Sequence, residues 1–266
     1  MSKIIVIDAG HGYNTSGKRC LKSIDTNETR EWFLNDRIAD IVESRLKANY
    51  YCKVLRADDT TGAKDISLSA RVKTANDANA DIYISIHHNA GINGGSGGGT
   101  VVYHYNDLSD EMRAQRLYSK IIAKTGLIGN RANKTSVGNF YVINKTKMPA
   151  LLIENGFMDS LFDTPIILTS EHAEKTAEGI IDFLVEELKL KKKVTESTPV
   201  NTNKYYPACD KKYVTIYTGL TSIGVNGSYS FRCKIAKANN ISGYIGTAAQ
   251  NTRMLNLLKA GLLIKA

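Results

Sequence analysis

Short apolar, β-branched segments alternate along this chain with longer segments of helical periodicity. KIIVID (3–8) and DIYISI (81–86) are typical of strands that are buried on both faces of a sheet. Between them, Ile38, Ile41, Val42 and Leu46 recur at the three- and four-residue spacing of one helix face. Parallel strands need helical crossovers, so the alternation predicts an α/β fold. We expect a mostly parallel, twisted sheet with helices on both faces.

The same patterns give approximate positions for the elements. We predict strands at 3–8, 51–56, 81–86, 100–105, 140–143 and 150–154, and helices at 31–48, 66–79, 110–125 and 171–188.

The positive charge of the chain is concentrated near its C-terminal end. Residues 1–190 contain 23 Lys and Arg against 24 Asp and Glu, whereas 201–266 contain nine against Asp210 alone. A lysine run and a Ser/Thr/Pro/Asn-rich stretch lie between these parts, as in a solvated linker. We therefore predict a domain at 1–190, a linker at 191–204 and a small helical or α+β module at 205–266. Its charge favours an anionic partner.

The cysteines and the apolar segments exclude several classes of protein. The four cysteines form no CxxC pair, so free thiols are expected, with a Cys209–Cys233 disulfide as the alternative. The first apolar stretch has only four residues before Asp8, too few for a signal-peptide core or a membrane span. We expect a protein that is made in the cytoplasm without a signal peptide and does not insert into membranes. If it acts outside the cell, something else releases it.

Four side chains with metal or acid–base chemistry have related positions. His11, His87 and Glu154 come at the predicted carboxyl ends of strands, and Glu31 opens the first long helix. Ligands of open parallel sheets bind outside these strand ends, so we expect these groups to converge. Two imidazoles and a carboxylate can hold a catalytic zinc ion, and another carboxylate can act as acid and base.

These segments resemble the zinc-dependent N-acetylmuramoyl-L-alanine amidases of the type 3 class, over about residues 1–188. The resemblance implies one zinc ion per chain and cleavage of the peptidoglycan amide bond between N-acetylmuramic acid and L-alanine. It is carried by IVIDAGHG (5–12), EWFLNDRIADIVESRLK (31–47), LSARVKTANDANADIYISIHHNA (68–90) and PALLIENGFMDS (149–160).

The resemblance implies the first two metal ligands. His11 matches the family's histidine in the GHG turn. Glu31 matches the ligand carboxylate, which lies four residues before an asparagine, here Asn35. Glu28 is the nearby alternative, but it lacks that asparagine and precedes the helical periodicity.

The resemblance also implies the third ligand and the catalytic carboxylate. His87 matches the histidine of the family's pattern His, any residue, Asn, Ala. His88 then occupies the variable position, where it can support the ligands or contact the substrate. Glu154 matches the carboxylate that takes a proton from the attacking water and delivers it to the departing amine.

The basic tail resembles C-terminal cell-wall-binding modules of clostridial phage and prophage lysins, in SYSFRCKIAKANNISGYIGTAAQNTRMLNLLKAGLLIKA (228–266). This resemblance implies a phage endolysin whose partners are bacterial peptidoglycan and anionic wall polymers, and not nucleic acid. Oligomerisation through this module is the alternative role for the tail. For the whole protein, the alternatives are a bacterial autolysin of sporulation or mother-cell lysis, and an inactive wall-binding protein.

Overall fold

The computed structural model describes residues 2–105, 108–193 and 204–266. The chain forms two compact units, Met1–Lys193 and Val194–Ala266. Most of the predicted linker at 191–204 lies outside the described residues.

The first unit alternates strands and helices as the hydrophobic pattern predicts. Its elements are β1 (Lys3–Ala9), α1 (Glu31–Asn49), β2 (Cys52–Arg56), α2 (Leu68–Asp77), β3 (Ile82–Asn89), β4 (Thr100–His104), α3 (Leu108–Thr125), β5 (Thr135–Val137), α4 (Tyr141–Asn144), β6 (Ala150–Phe157), α5 (Asp163–Ile167) and α6 (Ser170–Glu187).

The strands form one six-stranded sheet in the order β2-β1-β3-β6-β4-β5. The pairs β1–β2, β1–β3, β3–β6 and β4–β5 are parallel, and only β4–β6 is antiparallel. The expectation of a mostly parallel sheet is therefore confirmed. The central strands β1, β3 and β6 run parallel, so their carboxyl ends lie at the same edge of the sheet. Near this edge, His87 of β3 pairs with Glu154 of β6.

Helices cover both faces of the sheet, as predicted. One face packs against α1, α3 and α6, and its core includes Ile84, Leu46 and Phe183, all at most 1% exposed. The other face packs against α2 and α4 through a smaller core that includes Val72 and Val142.

One predicted element of the first unit is wrong, and the extents of two strands differ. The strand expected at 140–143 is the short helix α4. A four-residue apolar run has no periodicity that separates the two states, and here Val142 packs onto the sheet from a helical turn. Strands β3 and β6 continue beyond their predicted ends to Asn89 and Phe157. The short elements β5 and α5 carried no sequence signal that we identified.

The second unit contains α7 (Ile216–Ser222), α8 (Tyr229–Ala238) and α9 (Ala248–Lys259) around its own core. This is the helical form of the predicted module. Helix α9 begins with a capping box, in which Thr247 and Gln250 exchange side-chain and backbone hydrogen bonds. All four cysteines of the chain are free, so the alternative Cys209–Cys233 disulfide is not formed.

Among the helices of the described ranges, none has the length and apolarity that crossing a membrane requires.

Candidate metal centre and catalytic cleft

Strand β3 directs its two histidines to opposite faces of the sheet. Ser85 and His87 share one face, and Ser85 donates a hydrogen bond to Asp8 of β1 at 2.8 Å. Ile84 and Ile86 share the other face with His88 and lie in the core beneath α1 and α6. The pairing of β3 with β6 shifts register between His87 and Asn89, but the two histidine side chains still occupy different environments, since His87 lines the cleft and His88 is buried. His87 is therefore on the face that carries the cleft, and His88 is not.

The turn after β1 brings His11 next to His87. The backbone of His11 is left-handed, with φ of 68°, and the centroids of the two imidazole rings are 5.0 Å apart. Gly10 makes this approach feasible, because a Cβ there would lie 2.0 Å from His87 Cε1. Any larger residue at position 10 would displace His87 or the turn.

Glu31, in the first turn of α1, lies between the two imidazoles. Its Oε1 accepts a hydrogen bond from His87 Nδ1 at 3.0 Å, and its Oε2 lies 3.4 Å from His11 Nε2. The side chain is almost completely buried, and Lys18 Nζ is 3.7 Å from Oε2. One acidic side chain is thus shared by both histidines at a helix N-terminus, where the helix dipole favours negative charge.

His11, Glu31 and His87 form a group that can hold a metal ion, the only such group of three or more His, Cys, Asp or Glu in the described part of the chain. One ligand atom from each residue lies within 4.8 Å of the others. Bonds of about 2.0–2.1 Å in a tetrahedral site place ligand atoms roughly 3.4 Å apart, close to the two Glu31–His separations. Glu31 Oε2 is also buried without a hydrogen-bond partner, which is costly unless a cation satisfies it. The donor set and its spacing fit a zinc ion.

Glu28, the alternative acidic residue, is not part of this group. Its carboxylate pairs with Arg19 at 3.1 Å and with Lys22 at 3.9 Å, and it lines a separate cavity.

The charges of the cluster support one another. Burial alone would raise the pKa of Glu31, but hydrogen bonds and attraction from His11 and His87 hold it well below its usual range. Burial alone would lower the pKa of His87, yet the Glu31 carboxylate raises it overall. The site therefore keeps a buried carboxylate ionised beside groups that carry or accept positive charge.

Glu154 lies next to this cluster, but its pKa is shifted in the opposite direction from that of Glu31. Burial raises its pKa to about 8, with attraction from His87 opposing the shift and repulsion from Glu31 adding to it. Its Oε2 is buried without a hydrogen-bond partner. Two neighbouring carboxyl groups thus have pKa values pushed in opposite directions, a pattern that separates a charged ligand from a proton carrier.

A cleft of about 590 Å³ opens over these residues. One wall has apolar and aromatic side chains, with Leu68, Phe140 and Tyr141 each 40–54% exposed. Phe140 is held edge-on by Tyr103, with ring centroids 5.1 Å apart. The complete lining is Asp8, Gly10, His11, Lys18, Asp65, Ile66, Ser67, Leu68, Arg71, His87, Phe140, Tyr141, Val142, Leu152 and Glu154.

His88 does not line the cleft, so a direct substrate contact by this residue is not supported. It is 2% exposed, and its Nδ1 donates to Asn35 Oδ1 at 2.8 Å. Asn35 Nδ2 in turn donates to the Gly10 carbonyl at 3.1 Å. This chain of contacts connects His88 to the turn that carries His11. In the sequence, Asn35 was the residue that pointed to Glu31 as a ligand. In the structure, Asn35 also supports the turn that carries His11, through its hydrogen bond to the Gly10 carbonyl.

Sequence reasoning missed Arg71, which fixes the same turn from the opposite face of the sheet. It is 1% exposed and donates to the carbonyls of Ala9 and His11, both at 2.8 Å. It also pairs with the buried Asp8 and, at 3.1 Å, with Asp65. The only signal was an arginine at a position of α2 that periodicity assigns to the core.

Comparisons with known proteins agree with this fold. The family model for N-acetylmuramoyl-L-alanine amidases matches residues 5–186. An endolysin of Bacillus phage SPP1 is 28% identical over 272 residues, which is 100% of this chain and 96% of that protein. The sporulation-specific N-acetylmuramoyl-L-alanine amidase of Bacillus subtilis (strain 168) is 32% identical over 190 residues, 71% of this chain and 69% of the relative.

Among solved structures, the catalytic domain of CwlV, an N-acetylmuramoyl-L-alanine amidase of Bacillus (Paenibacillus) polymyxa var. colistinus, is similar to the first unit. It has a TM-score of 0.63 and 30% sequence identity, and the match covers 71% of this chain and 99% of that one. The chain belongs to the N-acetylmuramoyl-L-alanine amidase family and is a peptidoglycan amidase.

Proposed function

We propose that this amidase is a zinc enzyme in which His11, Glu31 and His87 hold the ion and Glu154 moves the proton. The observation that carries the proposal is the shared Glu31 carboxylate, 3.0 and 3.4 Å from two imidazole nitrogens, beside a second carboxyl group of raised pKa. A bound zinc ion would polarise the scissile carbonyl and activate a water molecule at neutral pH.

The chain's own residues supply the remaining chemistry. Glu154 accepts the proton of the attacking water, and its carboxyl group then delivers that proton to the departing alanine nitrogen, which otherwise leaves poorly. Burial of Glu154 supports this cycle, because a carboxyl with a pKa near neutrality both takes and releases a proton readily.

The cleft orients the substrate over these groups. We assign the half-exposed wall of Leu68, Phe140 and Tyr141 to contact with the apolar faces of the muramyl-peptide. Lys18, on the cluster side of the cleft, can bind substrate oxygen atoms. Arg71 and Asn35 keep the turn of His11 in place during the reaction.

We further propose that the whole chain acts as a phage-type endolysin, with residues 205–266 as a basic module that binds the cell wall. The similarity to the phage SPP1 endolysin extends through this module and spans nearly both whole proteins. The sporulation-specific amidase, which represents the autolysin alternative, matches only 71% of this chain. An inactive wall-binding protein is disfavoured, since all four site residues are present and His11, Glu31 and His87 are close together.

Digestion of purified peptidoglycan, with mass analysis of the products, tests the proposed chemistry. We expect products with a free L-alanine amino group, loss of activity with a chelator, and recovery with zinc. Activity that is unaffected by thorough chelation would contradict the zinc assignment.

Replacing Glu154 separates its role from metal binding. Glu154→Gln should keep one zinc per chain and lose about 10²–10⁴-fold in kcat, the usual contribution of a general acid–base group. If the variant instead loses zinc, Glu154 is a ligand and its assignment as proton carrier is wrong.

A further inference from the structure

The second unit has a groove of about 460 Å³ beside helix α8. Cys233 and Lys237 line it from α8, and Asn240 and Tyr244 line it from the following segment. This groove is separate from the catalytic cleft and is formed entirely by residues of the second unit.

Tyr244, which lines the groove, belongs to an aromatic pair. The rings of Tyr229 and Tyr244 are stacked, with centroids 5.9 Å apart and planes inclined by 24°. Tyr229 is 51% exposed although it opens a helix of a compact bundle. A stacked pair with exposed Tyr229 and half-buried Tyr244 presents a flat apolar surface, which suits the face of a saccharide ring.

The loop at 243–247 is fixed by the side chains of α9. Gln250 Oε1 accepts hydrogen bonds from the backbone N–H groups of 245–247 at 3.0–3.2 Å, and Gln250 Nε2 donates to the Gly243 carbonyl at 3.0 Å. Asn251 Nδ2 donates to the Gly246 carbonyl at 2.8 Å. A surface loop with this many side-chain contacts is held in one shape before any ligand binds, which reduces the entropy lost on binding.

Asn251 also joins the aromatic pair to a cation. Its Oδ1 accepts hydrogen bonds from the Tyr244 hydroxyl at 2.6 Å and from Arg232 Nη1 at 2.9 Å. Arg232 Nε is buried without a hydrogen-bond partner. The Asn251 side chain therefore positions both Tyr244 and Arg232. The Arg232 guanidinium still has one N–H group, at Nε, without a hydrogen-bond partner.

The charge around the groove is positive without local compensation. Residues 204–266 contain nine Lys and Arg, and their only acidic side chain, Asp210, has Lys212 as its partner at 3.7 Å. Within residues 204–266, the exposed Lys237 thus has no acidic side chain to pair with other than Asp210. Such a surface attracts an anion and not a neutral chain.

We propose that this groove is the wall-binding site of the second unit and that it takes a phosphate-bearing glycan attached to the bacterial wall. A sugar ring packs on Tyr229 and Tyr244, and an adjacent phosphodiester is neutralised by Lys237 and Arg232. The proposal rests on the wall-binding role assigned above to residues 205–266, and it adds the site and the chemical class of the ligand.

Two matched pairs of variants in the full-length chain test the groove. Tyr244→Leu removes the platform, and Tyr217→Leu removes an exposed tyrosine of the same unit outside the groove. Lys237→Ala removes a groove charge, and Lys211→Ala removes an equal charge elsewhere. Binding is measured by sedimentation with purified Gram-positive walls, either intact or stripped of phosphodiester-linked polymers with hydrofluoric acid.

We expect wild-type protein to bind intact walls at least about tenfold more tightly than stripped walls. Tyr244→Leu and Lys237→Ala should each weaken binding to intact walls about tenfold, the loss that an interface hot spot gives, and their controls should change it less than twofold. Equal binding to both wall preparations, no binding to intact walls, or equal losses in variants and controls would overturn the proposal.

Hydrolysis of a soluble muropeptide by the same proteins separates this result from the catalytic proposal. All four variants should retain wild-type kcat, since the first unit is unchanged. Loss of wall binding with full hydrolysis assigns the groove, whereas absence of muropeptide hydrolysis in the wild type contradicts the catalytic assignment and leaves the wall-binding result intact.

Discussion

At the scale of single residues, the site depends on two carboxyl groups with opposite tasks. Two imidazoles hold the pKa of Glu31 well below its usual range, whereas burial raises the pKa of Glu154 to about 8, so the effect of burial is offset at one carboxyl and not at the other. Their chemical identity is the same, and only their neighbours differ.

Replacing each of the two candidate acidic residues by glutamine tests the metal assignment at this scale. Glu31→Gln removes the negative charge between His11 and His87, so zinc affinity should fall by at least about 100-fold. Glu28→Gln removes an equal charge from the surface pair with Arg19 and should leave zinc affinity unchanged. Zinc content after dialysis and calorimetric titration measure both, and equal loss in the two variants would contradict the assignment.

At the scale of elements, the turn after β1 is braced from both faces of the sheet. Arg71 of α2 contacts it from one face, and Asn35 of α1 contacts it from the other. This bracing stabilises the left-handed backbone of His11, which a non-glycine residue adopts only at a cost.

Replacement of the buried arginine tests this bracing. Arg71 donates five hydrogen bonds, and the three N–H groups of a lysine cannot replace them all, so in Arg71→Lys zinc affinity should fall about 10–100-fold, as for other residues that orient metal ligands. Lys73→Ala, an exposed change on the same helix, is the control. Circular dichroism shows whether the variant is folded, and unchanged zinc affinity in a folded Arg71→Lys protein would contradict the bracing role.

Helix α6 gives the first unit a predictable dependence on pH. His172 is 3% exposed, and burial lowers its pKa to about 4. The folded state therefore keeps His172 neutral while the unfolded chain protonates it near its ordinary pKa of about 6.5. Its contribution is complete above pH 6.5 and is lost as the pH falls towards 4, by about 2 kcal/mol between pH 7 and 5.

Comparison with His172→Gln isolates this contribution from the other titrating groups. The free energy of unfolding of the wild type should fall by about 2 kcal/mol more than that of the variant between pH 7 and 5. Trp32 is the only tryptophan and lies in the first unit, so its fluorescence in urea follows that unit. Parallel pH profiles for the two proteins would show that His172 is not the source.

At the scale of the whole molecule, the two units have separate cores and different charge. The first contains the complete metal cluster and cleft, and the second contains most of the excess positive charge. A catalytic unit with a separate binding unit raises the effective concentration of the enzyme on an insoluble substrate.

Truncation after Lys193 tests this division. Residues 1–193 should hydrolyse a soluble muropeptide at the rate of the full chain but digest whole walls about tenfold more slowly, because the anchoring contribution is lost. Raising the salt concentration should slow digestion of walls by the full chain more than by the truncated one. Equal rates on walls at low salt would show that the second unit does not anchor the enzyme.

Much of the fold was readable from local patterns. Periodicity gave the main strands and the long helices, because these depend on the spacing of neighbouring residues, whereas the choice of His87 over His88 came from the family resemblance. It failed at 140–143, where a run of four residues fits a strand and a helical turn equally well, and the packing of Val142 on the sheet favours the helix.

The sequence by itself determined the alternation of strands and helices, the chemical groups available to the site and the concentration of charge in the tail. Only the tertiary structure decided that β4 runs antiparallel to β6 and that Arg71 supports the turn of His11. The physical reason is distance along the chain. Periodicity records contacts between residues a few positions apart, whereas these outcomes depend on which distant surfaces exclude water together.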